Sequence, residues 1–166
     1  MSTINLTIAP LSNDDSRSII DLILPIQQIE FNVPITIDGQ PDLLDIELNY
    51  HQNGGNFWGM KIGDELIGTI ALLNIGNNSG ALRKMFVKKE FRGKEYGIAQ
   101  LLLKTLLDYC VKKGINDIYL GTVDMLKAAH RFYEKNNFNL LEVDELPSYF
   151  PRMMADNRFY HLHLNV

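Results

Sequence analysis

The chain reads as a mixed α/β sheet protein with the element order βααβββαβαββ, and three stretches predict it. Residues 82 to 113 run from an apolar strand, through a basic glycine-containing loop, into a leucine-rich helix. Residues 117 to 122 then supply another strand, and a strand–helix–strand unit of this length is expected to be parallel and right-handed. An amphipathic helix around Tyr133 follows, and two more strands end the chain.

Each element has its own signal. Residues 4 to 9 alternate as a short strand. Ser12 or Asn13 caps a helix carrying Ile19, Ile20, Leu22 and Ile23, which Pro25 breaks or kinks before a helical stretch to about Phe31. Pro41 suits a first helical position, predicting a second helix from Asp42 to about Tyr50. Two strands, around residues 57 to 60 and 66 to 73, meet at Gly63-Asp64. Asn77, Asn78, Ser79 and Gly80 turn the chain into the strand holding Met85, Phe86 and Val87. The stripe Ile98, Leu102, Leu106 and Cys110, broadened by Ala99, Leu103 and Leu107, defines a helix from Gly97 to Lys113 that Gly114 ends. The last strands fall near residues 139 to 143 and 158 to 164. With no repeat, low-complexity tract or linker, residues 1–166 read as a single domain.

Composition narrows the class. The 166 residues are 46% hydrophobic with a net charge of −4, enough for one sizeable core. Asp and Glu outnumber Lys and Arg and there is no basic tail, so no nucleic-acid partner is expected. The first residues lack a signal-peptide pattern, and no apolar run approaches the ~20 residues a membrane helix needs. The expectation is a cytoplasmic protein without a membrane partner. Cys110 is the only cysteine, set among leucines on a helix, and reads as a buried structural thiol.

The strand-to-helix loop is a place to hold phosphate. Its amides and the first helical N–H groups converge where the helix dipole favours negative charge. Gly93 and Gly97 permit close approach and positive φ, and Arg92 and Lys94 add charge. A P-loop is excluded because Ile98 and Ala99 follow Gly97, and a dinucleotide fingerprint because the glycines stand four apart.

This segment, with Ala129, Phe132, Tyr133, Lys135 and Phe138 further on, resembles the GCN5-related N-acetyltransferase (GNAT) superfamily of small single-domain bacterial type. Two registers of the acyl-CoA loop compete, one starting at Arg92 and one at Lys94, and the loop reads about two residues longer than the common form. Asn137 replaces the family's glycine after the late helix, and Leu126 stands where many relatives have a cofactor-contacting Asn.

The resemblance implies an N-acetyltransferase that moves acetyl from acetyl-CoA to a primary amine by direct attack in a ternary complex, with no metal. It implies that the strands at 82 to 88 and 117 to 122 splay around the cofactor. Phe86 and Val87 would pair with pantetheine, and an N–H near Val87 would face the thioester oxygen. Arg92, Gly93, Lys94, Gly97, Ile98 and Ala99 would hold the pyrophosphate. Tyr133 would protonate the departing thiolate. No carboxylate stands on the cofactor strand where many relatives carry a base. Glu30, Asp45, Glu47, His51 and Asp124 are the other candidates, and a base is not obligatory. For the acceptor the resemblance points to Glu30, Phe31 and Trp58, to residues 40 to 42, and to 146 to 154. Acidic residues early in the chain favour a cationic amine. His161 and His163 share a strand face but lack further ligands at metal spacing. A catalytically weak CoA-binding or sensor module of the same fold is the alternative, and a homodimer stays open.

Overall fold

A computed structural model of the chain describes residues 6–93, 95–124, 126–153 and 155–164. Seven strands form one sheet in the order β1-β2-β3-β4-β5-β7-β6. They are β1 (Leu6–Pro10), β2 (Asn56–Ile62), β3 (Glu65–Gly76), β4 (Ser79–Val87), β5 (Asp117–Thr122), β6 (Asn139–Leu141) and β7 (Arg158–His163). All neighbours are antiparallel except β4 and β5, which α2 (Ile98–Lys113) connects.

The sheet carries a core on each face. On one side α2 lays Leu102, Leu103, Leu106 and Cys110 against Trp58, Met60, Ile70 and Leu82. Each fully buried leucine contributes about 1.5–3 kcal/mol relative to exposure. Tyr133 and Phe132 of α3 (Lys127–Lys135) join this layer. On the other side α1 (Ser16–Pro25) buries Ile19, Leu22 and Ile23 against Phe57, Leu66 and Ala71. Gly114 ends α2 at φ 71°, with the Ile115 amide donating to the Cys110 carbonyl at 2.9 Å. Asn137 does the same service after α3 at φ 73°.

Two expected elements differ. The stretch after Pro25 is a π turn, Ile26–Glu30, because proline offers no N–H to continue the α ladder. The expected helix from Asp42 to Tyr50 is instead two short turns, Pro41–Leu44 and Glu47–His51. The amides of Ile46 and Glu47 donate to the Asn13 side-chain oxygen at 2.7 and 3.2 Å, so they are lost to a helix at that point. Asp45, at φ −147°, caps the next turn by accepting from the Leu48 amide at 3.1 Å.

Candidate active site

The parallel pairing of β4 with β5 runs only from Ser79–Ala81 to Asp117–Tyr119. Beyond it the strands separate, and the edge of β4 facing β5 is unpaired over residues 82 to 87. The Lys88 amide donates to Ile67 on β3 at 2.8 Å, so by strand alternation the peptide groups of Val87 point into the opening.

The sequence of β4 brings charge to the opening. Register slips between Thr69↔Phe86 and Ala71↔Arg83, which inserts an extra residue. That residue is Lys84, at φ 54°, and its carbonyl is pinned by the Thr69 hydroxyl at 2.7 Å. A lysine in this left-handed region costs roughly 1–3 kcal/mol. The bulge turns Arg83, Lys84 and Phe86 towards the same cavity, which Gln40, Phe31, Gly121, Thr122, Leu126, Phe150, Met153 and Asp156 also line.

Charge in this cavity is unevenly paired. Lys84 is 9% exposed; its Nζ donates to Gln40 Oε1 at 2.6 Å and lies 3.7 Å from Asp42 Oδ2. Burial, partly offset by Asp42, pulls its pKa down to about 8. Arg83 directs Nη2 at the Met153 sulfur, and no carboxylate lies within ion-pair distance of it among the described residues. Burial raises the Asp156 carboxyl above its ordinary range, although the Met153 backbone, Arg83, Lys84 and Arg152 all oppose that shift. Asp156 is the one carboxylate among the described residues lining the cavity.

The phosphate loop closes the other end. Gly93 has φ 126° and Gly97 φ 63°, and a Cβ at Gly97 would meet nothing within 4 Å. Gly97 stands directly before α2, whose Ile98 and Ala99 amides belong to the first helical turn and have no intrahelical acceptor. Lys94 lies outside the described residues. Arg92 is not a free charge here. Its Nε donates to the Val87 carbonyl at 2.8 Å, its guanidinium forms a two-pronged pair with Glu30, and it lies over the Phe31 ring.

Tyr133 is 6% exposed and packs against Phe132, Phe138 and Tyr160. Among the described residues its hydroxyl has one hydrogen-bond partner, the Met85 sulfur at 3.8 Å, and burial pushes its pKa well up. The phenol is therefore protonated at neutral pH.

Several expected acceptor residues lie elsewhere. Phe31 lines the cavity, but Glu30 faces a separate surface depression bordered by Lys88 and Lys89. Trp58 is 4% exposed beneath α2, edge-on to Tyr109, because β2's alternation sends it to the helix face. None of Glu30, Asp45, Glu47, His51 and Asp124 lines the cavity. His51 donates from Nε2 to the Leu11 carbonyl, and Asp124 is held by Lys127 and Arg158. The early acidic residues therefore do not line the cavity themselves, although Asp42 pairs with Lys84 behind it; Arg83 and Lys84 are its cations and Asp156 its carboxylate. Neither Asp156 nor Arg83 carries a site signal in the sequence: Arg83 sits within the strand at 82 to 88, and Asp156 lies two positions beyond the proline- and methionine-containing stretch at 146 to 154.

A seven-stranded mixed sheet that parts beneath a glycine loop and a helix N-terminus defines an acyl-CoA N-acyltransferase fold. A family model described as "Acetyltransferase (GNAT) family" matches residues 20–138, and the chain belongs to that family. A GNAT-family acetyltransferase from Staphylococcus aureus Mu50 superposes with a TM-score of 0.93 at 40% identity, covering 97% of this chain and 100% of that one. A PaiA N-acetyltransferase from Thermoplasma acidophilum, solved with coenzyme A, shares the fold at TM-score 0.75 and 21% identity, over 96% and 99% of the two chains. The N-acetylaspartate synthetase of Danio rerio is 30% identical over 134 residues, which are 75% of this chain and 47% of the relative. The chain thus spans less than half the length of the N-acetylaspartate synthetases it matches. Among the described residues no helix is long and apolar enough to cross a membrane, and no group of His, Cys, Asp and Glu is arranged to hold a metal ion.

Proposed function

We propose that this protein transfers an acetyl group from acetyl-CoA to a primary amine that also carries a carboxylate, by direct attack in a ternary complex. The observation that carries the reading is the parting of β4 from β5 beneath the α2 N-terminus, with the β4 edge unpaired over residues 82 to 87. Pantetheine would add to that edge as a short strand, beside Phe86 and Val87. The Gly93, Gly97, Ile98 and Ala99 backbone would take the pyrophosphate, with Lys94 as an added charge. Arg92 then acts by fixing the loop rather than by meeting the anion directly.

Binding at two remote handles holds the thioester carbon still, which converts a chance encounter into a positioned one. The Val87 N–H would stabilise charge developing on the thioester oxygen. Tyr133 would protonate the thiolate. The acceptor reading rests on Arg83, a half-buried cation facing a sulfur where an anion is favoured. The name of the N-acetylaspartate synthetases points to the same kind of acceptor, an amine with carboxylates.

Calorimetric titration with acetyl-CoA, CoA and ATP, followed by a thiol-release screen of amino acids against polyamines, tests this. One-per-chain micromolar binding of the CoA species and release with carboxylate-bearing amines is the expected result. Binding without release for any amine would leave only a CoA-binding module, and preference for polyamines would overturn the acceptor class.

A further inference from the structure

The proposed reaction needs a neutral amine, and amino acids reach an enzyme as ammonium ions. On the strength of the transfer reading above, we propose that Asp156 is the general base, taking the first proton from the acceptor's ammonium at the point where β5 leaves β4. Its place is built, not incidental. Gly121 on β5 has no side chain, and a Cβ there would lie 2.3 Å from Asp156 Oδ2, so the carboxylate rests directly on the strand backbone. The segment behind it is fastened to the same strand end. The Asn157 amide donates to the Thr122 carbonyl at 2.9 Å, and the Asn157 side chain accepts from the Asp124 amide at 2.7 Å. The Asp156 amide donates to the Met153 carbonyl at 3.1 Å, closing the turn.

The charged and titratable groups around it suit the role. Arg83 and Lys84 act on it electrostatically from β4, Arg152 from its own loop and Tyr133 from α3, while on β5 it meets the side-chain-free Gly121. Burial outweighs the three cations and raises the carboxyl's proton affinity, which brings it nearer to that of an amine. Arg83 and Lys84 would hold the acceptor's carboxylate and so turn its ammonium towards Asp156.

The step balances. The ammonium gives one proton to Asp156, which passes it to solvent, and the free electron pair forms the N–C bond as the carbonyl opens. The second nitrogen proton is lost as the C–S bond breaks. Tyr133 supplies the thiolate's proton and recovers that second one. The products are an amide, free CoA and one proton in solution.

The test compares wild type with Asp156→Asn and Gly121→Ala on the best amine from the thiol-release screen. Melting temperature and calorimetric CoA affinity serve as checks on folding. Asp156→Asn is expected to lower kcat/KM by about 10²-fold or more with CoA affinity changed less than threefold. Its profile should lose the acidic limb that wild type shows above the ordinary carboxylate range, because activity requires the ionised form. A fluorinated acceptor of lower amine pKa should recover much of the loss, since it needs less help to become neutral. Gly121→Ala should show a smaller fall through displacement of the carboxylate. Retention of the wild-type rate and acidic limb in Asp156→Asn would overturn the assignment. So would an equal loss with ordinary and fluorinated acceptors, which a purely structural role gives. A wild type that binds CoA yet acetylates no amine would overturn the transfer reading, and the base with it.

Discussion

Arg92 and Glu30 are joined by a two-pronged ion pair, with Nη2 2.8 Å from Oε1 and Nη1 on Oε2. It ties the phosphate loop before α2 to the π turn after α1, and it holds the Glu30 carboxyl below its usual range. Two residues expected to serve different ligands thus serve each other. Replacing Glu30 with Gln should loosen the loop and raise the CoA dissociation constant about 3–10-fold, corresponding to roughly 0.7–1.4 kcal/mol for a partly exposed charge-assisted pair. Calorimetry measures it, and an unchanged constant would mean that the backbone shapes the loop unaided.

Tyr133→Phe should cost little stability, because the hydroxyl's one hydrogen-bond partner among the described residues is a sulfur at 3.8 Å. The rate of acetyl transfer should fall by about 10²-fold or more if the phenol delivers the thiolate's proton. Single-turnover kinetics at saturating acetyl-CoA separates these effects. A rate within threefold of wild type would remove the acid role.

Keeping Lys84 charged should cost the fold. Its folded pKa of about 8 lies below the ordinary 10.5, so between those values the unfolded chain binds more protons and stability climbs with pH. The full shift corresponds to about 3 kcal/mol. Lys84→Met keeps the length and the same backbone strain but leaves Asp42 and the Gln40 oxygen without their cation, and should destabilise the protein at pH 7 by about 3 kcal/mol. The acceptor KM should rise in parallel. Denaturant titrations at pH 7 and pH 10 test the first part: wild type should gain between the two and the variant should not gain by this route.

Asp117 presents the opposite sign. Its Oδ1 lies 2.8 Å from both His161 Nε2 and His163 Nδ1, and these contacts outweigh burial to lower its pKa. The stability it contributes is present above the unfolded carboxyl value and is lost as pH falls through the lower folded value. Asp117→Asn should cost about 1–2 kcal/mol at neutral pH and flatten the acid limb of a melting-temperature profile. The histidine pair on β7 is thereby a partner for this carboxylate at the far end of β5 from the opening.

Much of the architecture was legible because it is written in local patterns. The stripe of α2 and its Gly114 stop, the Gly63-Asp64 hairpin, and the Asn137 helix end each follow from periodicity or from one residue's backbone preference. The loop glycines were readable for the same reason. What escaped depends on contacts between distant segments. The second helix failed because Asn13, more than thirty residues away, takes the amides of Ile46 and Glu47. Trp58 looked like a pocket aromatic, but which face it takes is set by strand register. Asp156 gave no periodic signal at all; its meaning comes from Gly121, thirty-five positions earlier, which is visible as a seat only once β5 and the loop before β7 are superimposed in space.

The extra residue in β4 acts as a frameshift in the strand's side-to-side alternation. Leu82 and Met85 stand an odd number of positions apart yet both pack towards α2, while Arg83 and Phe86 both face the cavity. Deleting Lys84 would leave Leu82 and Met85 two positions apart, on one face of a regular strand, with Arg83 and Phe86 still together on the other. The bulge is thus dispensable for sorting the strand's two faces; what it adds is Lys84 itself, a second consecutive cation delivered to the side that the alternation would otherwise deny it.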